Sequence, residues 1–96
     1  MLAFLCNERA LPFDLPIAWL GRVERLEREE RTQCAWWHDQ ASTTHSAAAV
    51  RHDAAALRWE RVGDAVRAEF ERRNAQIEKW AAELEADRAR FYRGAR

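Results

Sequence analysis

Three histidines and two cysteines are the residues of this chain best suited to metal or catalytic chemistry. His38, His45 and His52 are spaced by seven residues, and Cys34 precedes His38 by four. A spacing of four puts Cys34 and His38 on one helix face, so the pair is half of a tetrahedral zinc site that a second copy would complete. Histidines seven apart on a helix are separated by about 10.5 Å, which is too far for one metal ion. We therefore expect hydrogen-bonded, half-buried histidines and no cofactor, with a metal-binding helical protein as an alternative function.

Other patterns that carry catalysis are weak. Two His-Asp dipeptides, at 38–39 and 52–53, match a motif that supplies two ligands in metal phosphohydrolases, but those enzymes need a larger domain and further ligands. Ser42, Thr43 and Thr44 lie near His45 without a nucleophile elbow, and the three glycines are isolated, so no phosphate loop is formed. We expect no enzymatic activity.

The cysteines and the hydrophobic runs bear on the compartment. Cys6 and Cys34 lie far apart without CxxC spacing, and no secretory signal or run of about 18 uncharged apolar residues occurs. We expect a cytoplasmic protein without membrane contact, whose cysteines are reduced core residues.

Composition favours long helices. Apolar residues make up 48% and charged residues 33% of the 96 residues, with only three glycines and two prolines for turns. Sixteen basic side chains balance sixteen acidic ones, which argues against a general nucleic-acid binder. The basic C-terminus keeps a nucleic-acid accessory protein as a second alternative, although cations at this point also complement the negative end of a helix. Its arginines are Arg88, Arg90, Arg93 and Arg96.

The chain divides into an N-terminal arm, residues 1–13, and a single helical domain, residues 14–96. Asp14 is a good N-cap, the hydroxylated run 42–44 predicts a turn, and Gly63 followed by Asp64 predicts a break. We therefore expect helices at about 15–40, 45–62 and 64–92.

A seven-residue apolar register begins at residue 45. As one helix, residues 44–92 would be about 75 Å long and could not bury their own seam, so the pattern predicts a homodimer even with a break at Gly63. The fold expected is an all-α hairpin or bundle of two or three helices, with a long heptad-patterned C-terminal helix completed by dimerisation. A second uncharged face, at Ala47, Val50, Ala54 and Leu57, predicts that helix 45–62 is contacted from both sides. The expected dimer seam consists of Ala49, Ala56, Phe70, Ile77, Trp80 and Leu84.

Large aromatic residues indicate where a protein partner would bind. Trp36 does not fit the apolar stripe, which makes it a candidate contact anchor together with Phe4 and Phe13 of the arm. The alternative is that the arm covers Trp36. Arg73 interrupts the apolar seam, and we expect it to meet an acid across a helix or subunit contact, Glu30 first. The sequence therefore favours a non-enzymatic interaction module, an adaptor, regulator or inhibitor of a larger protein, that acts as a homodimer. The other tryptophans are expected in the core or at helix contacts: Trp19, Trp37, Trp59 and Trp80.

Overall fold

The chain folds as an antiparallel hairpin of two long helices. The computed structural model describes residues 17–94, with side chains from residue 27 onward. Helix α1 comprises Ile17–Arg61 and helix α2 comprises Ala65–Arg93, and the two pack along each other in a body 68 Å long. The expected arm, residues 1–13, lies outside the described residues, as do Arg96 and the side chain of Trp19. The all-α class expected from the composition is confirmed.

A glycine–aspartate turn joins the helices where the sequence predicts the break. Gly63 has a φ of +82°, and the N–H groups of Gly63 and Asp64 donate to the carbonyls of Glu60 and Trp59 at 3.0 and 2.9 Å. These two hydrogen bonds form a Schellman motif, which ends α1. The Asp64 carboxylate then accepts from the Arg67 N–H at 2.9 Å and caps α2. The predicted break at Gly63 and Asp64 is therefore confirmed.

The turn expected at residues 42–44 does not form, because α1 runs through it without interruption. Thr44 Oγ1 donates to the Gln40 carbonyl at 3.0 Å, and Ser42 Oγ donates to the Ala82 carbonyl of α2 at 2.9 Å. Hydrogen bonds to backbone carbonyls satisfy these hydroxyls within a continuous helix, so they are not needed as N-caps. The helices expected at 15–40 and 45–62 are one helix.

Alanine fills the contact between the helices. Small residues recur every seventh position on both elements, and the Ser42–Ala82 hydrogen bond fixes the antiparallel register. A serine side chain reaches the backbone of a neighbouring helix only when the two axes lie close together, at the short end of the 8–10 Å range. We call this contact the alanine seam. Its buried residues are Ala35, Ala49 and Ala56 on α1 and Ala68, Ala75, Ala82 and Ala89 on α2, with Ser42 half-buried among them.

The alanine seam changes the interpretation of the heptad pattern. Ala49 and Ala56, assigned from sequence to the dimer seam, are buried against α2 of the same chain. The turn resets the helical phase, so α2 faces α1 with Ala68 and Ala75 and not with Phe70 and Ile77. The seven-residue series that runs through both helices in the sequence therefore faces the neighbouring helix on α1 and faces solvent on α2. Among the described residues, neither helix has an apolar stretch long enough to cross a membrane.

Candidate interaction surfaces

A ladder of three histidine–glutamate pairs lies along one flank of the alanine seam. Nδ1 of His38, His45 and His52 lies 2.5, 2.5 and 2.6 Å from Oε2 of the facing glutamate. Each histidine meets a glutamate because both series repeat every seven residues. The order of the glutamates is reversed because the helices run in opposite directions. The expectation of half-buried, hydrogen-bonded histidines is confirmed. The three glutamates, in the same order, are Glu85, Glu78 and Glu71.

The His38 pair is the most enclosed of the three. The other carboxylate oxygen of Glu85 accepts from Arg88 at 2.7 Å, and the Tyr92 ring stacks on the imidazole with centroids 5.4 Å apart. Burial acts to raise the pKa of Glu85, but the hydrogen bonds from His38 and Arg88 and their positive charge outweigh it, so the pKa is lowered. Glu85 therefore stays ionised at neutral pH and holds both side chains.

The opposite flank carries a second ladder in which α1 supplies the acids and α2 the bases. Asp39 pairs with Arg93, Asp53 with Lys79 at 3.3 Å, and Glu60 with Arg72. The hydrogen bond from Arg93 lowers the pKa of Asp39, and the same contact raises the pKa of Arg93. Exposed pairs of this kind stabilise little, but their spacing selects one register between the helices. The two ladders thus align the alanine seam.

The zinc site considered from the sequence depends on a thiolate at Cys34. Within residues 27–94, no group of three or more histidine, cysteine or acidic side chains could hold a metal ion. Cys34 is buried, as expected of a core residue, but it is disulfide-bonded. The expectation of a reduced thiol is therefore wrong for Cys34, and the bond removes the thiolate that a zinc ligand requires. The other cysteine, Cys6, lies outside the described residues.

The three described arginines of the basic C-terminus each pair with an acid. Arg88 pairs with Glu85, Arg90 with Asp87 and Arg93 with Asp39. Gly94, in the left-handed conformation, ends α2 as a C-cap. These contacts fit the expected complementation of the helix end, and the nucleic-acid accessory function stays a prediction.

Two stripes of large apolar side chains are exposed to solvent on the hairpin. On α1, the exposed residues at 36, 50 and 57 each follow a buried alanine by one residue, so they lie about 100° round the helix from the alanine seam. On α2, the series at 70, 77, 84 and 91 follows the buried alanines by two residues, about 200° round, and faces directly away from α1. The α1 stripe consists of Trp36, Val50 and Leu57, and the α2 stripe of Val66, Phe70, Ile77, Trp80, Leu84 and Phe91; each is at least 50% exposed.

More of the tryptophans are exposed than the sequence predicts. Trp36 is 51% exposed, as its position off the apolar stripe predicts, but Trp37 and Trp80 are exposed as well. The rings of Trp36 and Trp37 meet edge to face with centroids 4.9 Å apart. Trp59 is half-buried near the turn, where the Arg67 guanidinium lies 4.7 Å from its ring centroid. Trp37 and Trp80 are therefore not core residues of the hairpin, because mainly alanines occupy the contact between its helices. The expected contact of Trp80 with a second chain stays a prediction.

Arg73 does not meet Glu30 within the chain. Its Nε lies 3.4 Å from Oε1 of Glu69, one turn earlier on α2, and its side chain is exposed. The second expected contact face of α1, around Val50 and Leu57, is exposed as well, so among the described residues only one side of α1 has a neighbouring helix. Phe4 and Phe13 lie outside the described residues.

The sequence holds two signals for this arrangement that the apolar register obscured. Alanine occurs at 68, 75, 82 and 89, and glutamate at 71, 78 and 85. Both series have the seven-residue spacing of the histidines, so matching them would have placed α2 against α1 in the observed register. Compared with protein-family models, curated proteins and solved structures, the chain has no match.

Proposed function

We propose that this chain is a non-enzymatic helical interaction module that acts as a homodimer and binds a larger protein as an adaptor, regulator or inhibitor. The observation that carries the proposal is the reversal of the usual side-chain distribution. Among the described residues, seven of the nine buried ones are alanines, whereas most of the large apolar side chains are exposed, in stripes along both helices. Contiguous apolar surface of this kind marks contact sites in soluble proteins.

The two stripes suit different partners. The α2 stripe follows the three–four pattern of a coiled-coil seam from Val66 to Phe91, with Arg73 and Asp87 at the two remaining positions, which suits a second helix of equal length. The α1 stripe is shorter and contains Trp36, a residue type enriched in binding hot spots. The acid–base ladder at Asp39 and Asp53 runs between the α1 stripe and the alanine seam, and such charged rims give contacts specificity. We therefore assign the α1 stripe to the protein partner.

The cytoplasmic location expected from the sequence stays a prediction, and the disulfide of Cys34 is in conflict with it. Disulfides persist in oxidising compartments and are rare in the cytosol. The interaction function does not depend on the compartment.

Affinity capture from the source cells tests the α1 stripe. The tagged wild-type chain is compared with Trp36→Ser and Val50→Ser, and with Gln76→Ser as a control at an exposed polar position on α2. Loss of a hot-spot side chain costs 2 kcal/mol or more, so we expect at least about a tenfold loss of the enriched partner with Trp36→Ser and none with the control. Equal capture by all four proteins, or no protein enriched over an untagged control, would refute partner binding by this stripe.

A further inference from the structure

We infer that the α2 stripe is the seam of an antiparallel homodimer, in which α2 of one copy packs against α2 of a second copy about a two-fold axis between Ile77 and Trp80. This inference rests on the proposed homodimer and adds the face, the direction and the register. The resulting assembly has four helices in one layer, with each α1 on the outside of its own α2.

The geometry of the α2 stripe requires a straight helical partner. Its six members are four, seven, three, four and seven residues apart over residues 66–91, because Arg73 and Asp87 occupy two positions of the three–four pattern. All six lie on the side of α2 that faces away from α1. This is the seam that knobs-into-holes packing uses. A second copy supplies a helix of the same length with the same seam, so the two stripes overlap completely when their centres coincide.

The area of the α2 stripe is sufficient for a specific dimer. Its six large side chains are each at least half exposed. At roughly 100 Å² apiece, they bury about 600 Å² per copy and about 1,200 Å² in total, the lower end of specific protein interfaces. Neighbouring side chains on the same face add to this area.

Two charged residues in the seam select the antiparallel direction. Arg73 and Asp87 occupy seam positions seven residues on either side of Trp80. In a parallel, in-register dimer each would face its own copy, which places like charges together at two points of the seam. In the antiparallel dimer Arg73 lies one helical turn from Asp87 of the second copy, within reach of its long side chain, and the contact occurs twice.

Local ion pairs extend this complementarity. Arg73 already pairs with Glu69, and Asp87 pairs with Arg90. The antiparallel register brings these two pairs together with opposite polarity, so that acids and bases alternate in a cluster of four. Buried or half-buried charges stabilise a contact only when they are paired, and this register pairs all four.

One contact in the antiparallel register is unfavourable. Arg67 approaches Arg88 of the second copy on one edge of the seam. Each of these arginines has an acid in its own chain, Asp64 at 3.5 Å and Glu85 at 2.7 Å. The repulsion is therefore screened, and it is weaker than the like-charge contacts inside a parallel seam.

The face is tested by sedimentation equilibrium of the full chain with two matched variants. Ile77→Asp places a charge in the α2 stripe, and Val50→Asp places the same charge in the α1 stripe, at residues that are both exposed in the hairpin. We expect Ile77→Asp to weaken dimerisation at least about a hundredfold, because two-fold symmetry counts the loss twice, and Val50→Asp to leave it unchanged. Dimers that survive Ile77→Asp, or are lost with Val50→Asp, overturn the assigned face.

The direction is tested by photo-crosslinking with p-benzoylphenylalanine in place of Phe70, in a mixture of isotope-labelled and unlabelled chains. The antiparallel register predicts intermolecular crosslinks to residues 84–91, around Asp87, whereas a parallel dimer gives crosslinks to residue 70 itself. Crosslinks at 70 overturn the direction and leave the homodimer intact. A wild-type chain that is monomeric at about 100 µM overturns this inference and the proposed homodimer together, while partner capture through Trp36 is decided by its own experiment.

Discussion

Replacing Ala75 by leucine tests whether the alanine seam sets the distance between the helices. Ala75 is 1% exposed and lies in the middle of the seam, where the register places it opposite Ala49. A leucine at this position has no space unless the helices separate. Separation would lengthen the flanking contacts His45–Glu78 and His52–Glu71, now 2.5 and 2.6 Å.

The expected cost is the sum of these two effects. Overpacking a tightly packed contact costs about 1–3 kcal/mol. Each half-buried hydrogen bond that is lost costs about 0.5–1.5 kcal/mol, and partial exposure of both pairs puts them at the low end. We therefore expect Ala75→Leu to lower the free energy of unfolding by about 2–4 kcal/mol, which lowers the Tm by roughly 10 °C or more in a domain of this size.

Urea and thermal unfolding followed by far-UV circular dichroism measure this cost at one fixed protein concentration, since dimerisation makes the Tm depend on concentration. Gln76→Leu is the control, because it adds a leucine at the next residue, which is exposed. It should change the free energy of unfolding by less than about 0.5 kcal/mol. An Ala75→Leu protein as stable as the wild type would show that the helices are not held together by close alanine packing.

Three further predictions concern other parts of the hairpin. Because the folded-state pKa of Glu85 is lowered, its carboxylate contributes to the free energy of unfolding above about pH 4.3, and this contribution is lost as the pH falls through the folded-state pKa. Glu85→Gln should therefore flatten the acid limb of a plot of unfolding free energy against pH. An unchanged acid limb would contradict the role of His38 and Arg88. Gly63→Ala should destabilise the hairpin by about 1–2 kcal/mol in urea unfolding, and Gly63→Asn by less. An added Cβ meets nothing within 4 Å, so the cost comes from the φ of +82° alone. Equal stability of Gly63→Ala and the wild type would show that this φ does not restrict the residue at position 63. Cys34 should resist alkylation by iodoacetamide in denaturant until a reductant is added, as read by peptide mass spectrometry, and alkylation without reductant would show that it is a free thiol.

Local signals predicted the ends of the C-terminal helix well. Gly63, Asp64 and Gly94 are residues whose backbone or capping chemistry acts within one turn, so their effect can be identified without knowing the fold. The hydroxyl run at 42–44 failed for the opposite reason. Whether Ser42 caps a helix or bonds to a neighbouring one depends on the Ala82 carbonyl, 40 residues away.

The pairing of the helices could not be derived from apolar periodicity. The large residues Phe70, Ile77 and Leu84 dominate any hydrophobicity pattern, whereas the contact within the chain uses the small residues at 75 and 82. Periodicity shows which residues share a face but not which face meets the other helix. In this chain the small residues and the histidine–glutamate spacing decide that question, because they permit close approach and fix one register.

The same distinction applies to the candidate contact residues. The exposure of Trp36 follows from its phase relative to the apolar stripe, and the structure agrees. Trp37 and Trp80 fit the apolar stripes of the sequence, which predicts positions in the core or at helix contacts. A contact made of alanines has no room for them, so they lie on the outside, where a partner would have to cover them.

Sedimentation equilibrium of the wild-type chain over about 1–100 µM shows whether association covers the large apolar side chains that lie outside the alanine seam. We expect a species of twice the 11.3 kDa chain mass that dissociates on dilution. A single 11.3 kDa species across the whole range, with helical circular dichroism intact, would contradict it.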